Sequence, residues 1–184
     1  MIRRATAFLF DERRVSPVVY SLNVPLPSSV TRLATDLSRE WPTARARRRN
    51  DHTLVCKRLG DGPLGRVGSR VREALAGTPA FEARTDGIDC FETAATGPSP
   101  VLYLTVESSP LTALHDRFCE VFDPVEGIEG ADYVPHVTVA RGGNAETARR
   151  LVDREIDPIR WTVESVHVYD ADRGEVARRF SLPA

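Results

Sequence analysis

The sequence carries the same order of elements twice, and this repeat restricts the fold more than any other feature. A strand pattern over residues 18–24 is followed by apolar residues at helical spacing, namely Val30, Leu33, Leu37 and Trp41. A strand pattern over residues 101–106 is likewise followed by Leu111, Leu114, Phe118 and Phe122. The two apolar faces superpose with a constant offset of 81 residues, so each half should bury one face of a helix on a sheet.

Each half then continues with a second strand, a second helix and a closing strand. The second strands begin at two histidines, His52 and His136, and a last strand at 175–182 ends the chain. The second helices fall at about 63–76 and 144–152, and the closing strands at about 81–91 and 159–169. Because apolar faces must be buried against one another, the order predicts an α+β fold of two β-α-β-α-β lobes.

We expect the two lobes to be related by a pseudo-twofold axis, with antiparallel sheets lining a central cleft and helices outside. Lobe one covers about 17–92 and lobe two about 99–183, and together they form one bilobal domain over 1–184. Residues 1–16 lie outside the repeat as an N-terminal extension and could add an edge strand.

Composition excludes several functional classes. The 25 basic and 26 acidic residues nearly balance, so there is no global field that would attract polyanions. The three cysteines are widely spaced and fit neither a zinc site nor a disulfide framework. The sequence has no secretory signal and no apolar run of about 18 residues. We therefore expect a cytoplasmic monomer that uses no metal, no cofactor and no membrane.

His52 and His136 stand 84 residues apart at the heads of repeat-related strands. Residues i and i+2 of a strand share a face, so His136 and Thr138 lie side by side. An imidazole can move a proton while a hydroxyl binds a phosphate oxygen. Two such strands facing each other would place a base at the entering oxygen and an acid at the leaving oxygen of an in-line displacement. The other two histidines are expected on a helix surface (His115) and packed in a strand (His167).

The segment Pro135-His136-Val137-Thr138-Val139-Ala140-Arg141 resembles the second signature of the two-histidine phosphoesterase superfamily. The order of elements over about 17–183 is similar to that of its LigT-like branch, the RNA 2′,3′-cyclic phosphodiesterases or 2′-5′ RNA ligases. The resemblance implies that His52 and His136 are the acid/base pair and that Thr138 binds phosphate. By the same analogy, His136 would activate water and His52 would protonate the leaving 3′ oxygen.

The first motif departs from the family pattern, which has Thr two residues after the His. Here Leu54 occupies that position, so strand alternation predicts that Leu54 faces the cleft and Thr53 points away. Three interpretations follow. A β-bulge near His52 could turn Thr53 into the cleft. Thr138 and nearby arginines could suffice for phosphate binding. Alternatively, the site is weakened and the protein binds more than it cleaves.

Further binding residues are expected around the two motifs. Strand alternation puts Arg58 on the His52 face, where its charge could replace the missing hydroxyl, although a solvated strand end is an equal alternative. Arg141 matches the Arg of the family signature, but alternation alone places it on the face opposite His136. Tyr133 could stack on a base or pack in the core. The basic run 45–50 leads directly into the first motif and should lie at the cleft rim.

The resemblance implies a phosphodiesterase that opens RNA 2′,3′-cyclic phosphate ends to 2′-phosphates, with 2′-5′ RNA ligation as the possible reverse reaction. The expected partner is an RNA with a cyclic phosphate end. One alternative is a non-catalytic RNA-binding module on the same scaffold. Another keeps the chemistry and takes a small cyclic nucleotide as substrate.

Overall fold

The computed structural model describes residues 19–47 and 52–184. Its strands are β1 (Tyr20–Val24), β2 (Arg45–Ala46), β3 (Leu54–Gly60), β4 (Phe81–Thr85), β5 (Ile88–Phe91), β6 (Val101–Thr105), β7 (His136–Arg141), β8 (Ile159–Val163), β9 (Ser165–Asp170) and β10 (Glu175–Ser181). Its α-helices are α1 (Ser28–Arg39), α2 (Leu64–Leu75), α3 (Ser109–Cys119) and α4 (Ala145–Val152). The expected edge strand in residues 1–16 lies outside the described residues.

The main sheet runs through both halves of the chain. Its strand order is β10-β9-β1-β3-β7-β6-β5, with β2 on β7, and β4 and β8 pair separately. Every pair is antiparallel. Outward from the centre, β3-β1-β9 corresponds to β7-β6-β5, which is the order that a repeated unit would give. The α+β class with antiparallel strands is confirmed, but the two halves share one continuous sheet.

The expected closing strands each divide into two. The first breaks between Thr85 and Ile88 and the second at Glu164. In each half the first piece, β4 or β8, joins the two-stranded sheet and the second piece, β5 or β9, joins the main sheet. Each closing segment therefore changes sheets at a short break that the apolar pattern did not reveal.

The hydrophobic core lies between the main sheet and its helices. Helix α1 packs on β7, α3 on β3 and α4 on β5. Side chains on the helical face, such as Leu22, Leu54, Leu104 and Val137, have no solvent exposure. This burial leaves the opposite face of the central strands for a cleft. Among the described helices, none has the length and apolar character that crossing a bilayer requires.

A buried ionic cluster of Lys57, Arg58 and Glu129 connects the segment after α3 to strand β3. Lys57, the one lysine of the chain, places its Nζ 2.5 Å from Glu129 Oε2, and both side chains are fully buried. The Glu129 carboxylate also accepts hydrogen bonds from the backbone N–H groups of Arg58 and Val125, at 2.7 and 3.0 Å. Burial raises the pKa of Glu129, but these donors outweigh burial, so the pKa is lowered overall.

Glu129→Gln should destabilise the fold by about 3–5 kcal/mol, because it leaves Lys57 charged and unpaired in the interior. Urea unfolding followed by circular dichroism measures the change. The matched control is Glu92→Gln, which removes an exposed ion pair with Arg149 and should leave the midpoint unchanged. Equal midpoints for wild type and Glu129→Gln would show that the cluster does not stabilise the fold.

Candidate active site

Strand β3 of the first half meets β7 of the second half at a single residue pair, Leu54 opposite Val137. Directly opposed residues of an antiparallel pair project to the same face of the sheet. Both side chains are fully buried against the helices, so their chain neighbours Thr53 and His136 project to the other face. Thr53 and His136 accordingly line one cleft on that face.

His52 lies on the helical side of the sheet. The prediction that it faces His136 across the cleft is therefore wrong. It is 7% exposed, and its Nδ1 lies 3.1 Å from the backbone oxygen of Thr138, which can only accept a hydrogen bond. Its Nε2 lies 3.4 Å from the hydroxyl of Thr35 on α1. The physical reason is strand alternation: His52 stands two residues before Leu54, whereas His136 stands one residue before Val137.

The orientation predicted for the first motif is therefore reversed. Leu54 is fully buried in the core, and Thr53 and Val55 line the cleft. Of the three interpretations, the first is correct in turning the Thr53 side chain into the cleft. The orientation comes from the pairing of Leu54 with Val137 rather than from a bulge at His52, because the register shifts of β3 lie further along the strand.

Matching register shifts then bring two arginines into the cleft. In the pairing of β1 with β3, the partners move from Val55 to Lys57 and pass over Cys56. In the pairing of β6 with β7, they move from Thr138 to Ala140 and pass over Val139. A bulge of this kind inverts the alternation beyond it, so Arg58 and Arg141 both line the cleft. The alternation that placed Arg141 opposite His136 is wrong for this reason.

The paired shifts also align the two motifs with each other. Arg58 corresponds to Arg141, because each is the second paired residue after the register shift in its strand. Arg58 pairs with β1, and Arg141 pairs with β6. Counting back along the strands, Val55 then corresponds to Thr138 and Thr53 to His136. The first half therefore has a threonine where the second half has its histidine.

The ring of His136 is oriented from behind by the backbone. Its Nδ1 lies 2.7 Å from the carbonyl oxygen of Val134, so Nδ1 carries the proton and donates it. In the neutral ring, Nε2 is left as a proton acceptor. The ring also packs edge-on against Phe91, with 5.3 Å between the ring centroids, and against Tyr103, with 5.2 Å between the centroids.

Electrostatics favour the neutral form of this imidazole. Burial lowers the pKa of His136 most, and the hydrogen bond to Val134 opposes it. The positive charges of Arg58, Arg141 and Arg47 lower the pKa further. The lowered pKa favours the unprotonated imidazole, which is the form that a general base needs.

Polar groups around His136 suit an anionic ligand. Thr138 and Thr53 contribute hydroxyls, and Arg47, Arg58 and Arg141 contribute guanidinium groups. Arg141 donates to the Thr96 carbonyl at 3.0 Å, and its pKa is lowered by burial and by the charges of Arg47 and Arg58. In residues 19–47 and 52–184, no cluster of three or more His, Cys, Asp or Glu side chains could hold a metal ion.

Tyr133 forms part of the cleft wall and is fixed by two contacts. Its hydroxyl donates to the Val55 carbonyl at 2.9 Å, and its ring stacks on His115 at 3.7 Å. His115 is fully buried, with Nδ1 2.7 Å from the Cys56 carbonyl and Nε2 accepting from the Gly130 N–H at 2.9 Å. The expectation that His115 lies on the helix surface is wrong, because the segment around Gly130 and Tyr133 covers that face of α3.

Two aromatic residues beside His136, Phe91 and Tyr103, do not follow from the sequence pattern of the motifs. Tyr103 lies opposite Thr138, and Phe91 stacks on Tyr103 at 4.2 Å. The signal for Tyr103 was its place in the strand that should pair with the second motif. Arg47 confirms that the basic run reaches the cleft, and residues 48–50 lie outside the described residues.

Arg141→Met should raise the pKa of His136, because it removes one of the positive charges that oppose protonation of the ring. The chemical shift of the imidazole Hε1 proton, followed by NMR from pH 4.5 to 8.5, measures the change. Arg32→Met provides the control, since Arg32 is exposed on α1 and lies behind the sheet. An unchanged titration in Arg141→Met would refute the electrostatic coupling.

Comparison with known proteins agrees with this architecture. Crystal structures of similar fold include a protein of Thermus thermophilus, with 19% identity and a TM-score of 0.61 over 89% of this chain and 97% of that one. Escherichia coli LigT complexed with 3′-AMP shows 16% identity and a TM-score of 0.61 over 90% and 98% of the two chains. The LigT complex with phosphate gives the same three measures of identity, TM-score and coverage.

The sequence has no significant match among curated proteins. The family model of the 2′-5′ RNA ligase superfamily matches residues 26–175, which include both central strands and all of the described cleft residues. The fold is similar to that of LigT. The chain belongs to the 2′-5′ RNA ligase superfamily.

Proposed function

We propose that this protein is a phosphodiesterase that opens 2′,3′-cyclic phosphate ends of RNA, with His136 as its acid/base imidazole. The observation that carries the proposal is the position of His136 Nε2, left as an acceptor by the Nδ1 hydrogen bond to Val134, among cleft residues that bind anions. The resemblance of the second motif to the family signature and the family membership support the same reaction class.

In the proposed reaction, Nε2 of His136 takes a proton from a water molecule, and the water oxygen attacks phosphorus. The bond from phosphorus to the 3′ oxygen breaks, which leaves a 2′-phosphate. The Thr138 hydroxyl and the guanidinium groups of Arg58 and Arg141 stabilise the charge on the phosphoryl oxygens. Ligation would use the same step with the 5′ hydroxyl of another RNA in place of water: its oxygen attacks the cyclic phosphate, Nε2 of His136 takes its proton, and the bond to the 3′ oxygen breaks to leave a 2′-5′ linkage.

The cleft has a threonine, Thr53, at the position that corresponds to His136 in the other half, and this affects how the leaving oxygen is protonated. Thr53, which corresponds to His136, has a hydroxyl that can donate a hydrogen bond but is a weak acid. The departing 3′ oxygen then takes its proton from solvent, while the nearby Arg58 stabilises its negative charge. Since general acid catalysis contributes a factor of about 10²–10⁴, this site should turn over slowly.

His136→Ala should reduce hydrolysis of cytidine 2′,3′-cyclic phosphate by a factor of about 10²–10⁴, because the general base is removed. Chromatography of the nucleotide products measures the rate, and an unchanged far-ultraviolet circular dichroism spectrum shows that the variant is folded. Wild-type hydrolysis that persists in His136→Ala would refute the proposed mechanism.

His52→Gln should retain hydrolysis to within roughly tenfold of wild type, because the residue lies behind the sheet and outside the cleft lining. Its melting temperature should fall, since His52 bridges α1 and the backbone of β7. A loss of turnover as deep as that of His136→Ala, in a folded variant, would restore His52 to the catalytic pair.

Thr53→His combined with Val55→Thr should raise hydrolysis by about 10² or more, because it rebuilds an imidazole and a hydroxyl on the leaving-group side. Thr53→Asn with Val55→Thr is the matched control, since it adds polarity without an acid of suitable pKa. Equal rates for the two double variants would mean that Thr53 does not occupy the position of a second catalytic histidine.

A second candidate function, RNA binding without turnover, is favoured by the same replacement of histidine and threonine by Thr53 and Val55. In this case the wild-type protein would bind RNA ends and hydrolyse no cyclic phosphate. The affinity would fall steeply with salt, because Arg47, Arg58 and Arg141 would displace counterions from the phosphates. Product chromatography distinguishes the two functions directly.

A further inference from the structure

The charge of the cleft specifies its ligand more closely than the family does. Among the described residues, three guanidinium groups line it, from Arg47, Arg58 and Arg141. Asp132 is the one carboxylate among the described lining residues. Arg58 also approaches Glu129 at 3.4 Å, but Glu129 is already paired with Lys57 at 2.5 Å. A neutral His136 adds no charge, so the described lining residues carry three positive charges against one negative charge, an excess of two positive charges.

These positive charges act on one another across the cleft. Burial and the charges of Arg47 and Arg58 lower the pKa of Arg141, and all three arginines lower the pKa of His136. Such repulsion is relieved when an anion enters the cleft, and more of it is relieved by a doubly charged anion. Backbone contacts keep Arg141 in place, since it donates to the Thr96 carbonyl.

We infer that the cleft prefers a phosphomonoester dianion, the 2′- or 3′-phosphate of a nucleotide or RNA end, over a phosphodiester monoanion. A monoester carries close to two negative charges above pH about 7, whereas a cyclic diester carries one. The third charged phosphoryl oxygen can accept hydrogen bonds that the diester oxygen cannot. The inference rests on the proposal that the cleft takes phosphate esters, but it holds with or without turnover.

This preference also gives the proposed reaction a direction. Opening a cyclic phosphate converts a monoanion into a monoester dianion, so the protein would hold its product more tightly than its substrate. A protein of this kind would remain on the phosphorylated end after ring opening. The reactions that supply the cyclic substrate are RNA cleavages in which the 2′ hydroxyl attacks the adjacent phosphate and expels the 5′ oxygen of the next nucleotide.

Isothermal titration of the full-length protein with two matched ligands tests the preference. The ligands are 2′-deoxycytidine 3′-phosphate and its methyl ester, which differ by one charge and cannot cyclise. We expect the monoester to bind at least about tenfold more tightly, as one more charge-assisted hydrogen bond would give. Equal affinities, tighter binding of the methyl ester, or no binding of either ligand would overturn the inference.

Arg141→Met should reduce the ratio of the two affinities toward one, while Arg32→Met on the far side of the sheet should keep the wild-type ratio. A ratio that survives in Arg141→Met would overturn the role of the cleft charges. A trinucleotide with a 3′-phosphate separates the two sources of the monoester. Tighter binding than the mononucleotide identifies RNA ends, and equal binding identifies free nucleotides. Failure of cyclic phosphate hydrolysis would instead count against the proposed turnover alone.

Discussion

The pairing of Leu54 with Val137 determines which side chains form the cleft. It is the single residue pair that joins β3 to β7, and both members are buried against the helices. Because opposed residues share a face, this pair sends Thr53 and His136 to the cleft and His52 to the core. A register change of one residue would exchange these faces, so the chemistry of the site depends on one contact in the core.

The two register shifts beyond this pair set the charge of the cleft. They invert the alternation after Cys56 and Val139, and Arg58 and Arg141 consequently join His136 on one face. The same geometry turns Lys57 into the interior, where Glu129 neutralises it. The arginines then lower the pKa of His136, which links the anion-binding groups to the protonation state of the imidazole.

The repeat in the sequence was sufficient to predict the α+β class and the order of the main elements, because the period of the apolar residues reports helices and strands directly. The alternation within the second motif also placed His136 and Thr138 on one face, and both side chains line the cleft. The partner of His136 could not be predicted in this way. Two histidines 84 residues apart have equivalent places in the sequence pattern, but the pairing of Leu54 with Val137 puts them on opposite faces of the sheet.

Arg58 and Arg141 illustrate a second limit. Simple alternation predicts the correct face for Arg58 only because two errors cancel, namely the wrong face for His52 and the neglected register shift. For Arg141 the neglected shift alone leads to the wrong face. Register shifts arise from the pairing of neighbouring strands, which a single sequence does not display. Tyr103 was overlooked for a similar reason, since its role depends on lying opposite Thr138.

The most direct test of the account is a crystal structure of the protein soaked with phosphate. The account predicts that the anion lies between His136 and Thr53, in contact with Arg58 or Arg141. His52 should then remain behind the sheet on the carbonyl of Thr138. A phosphate held between the imidazoles of His52 and His136 would contradict it.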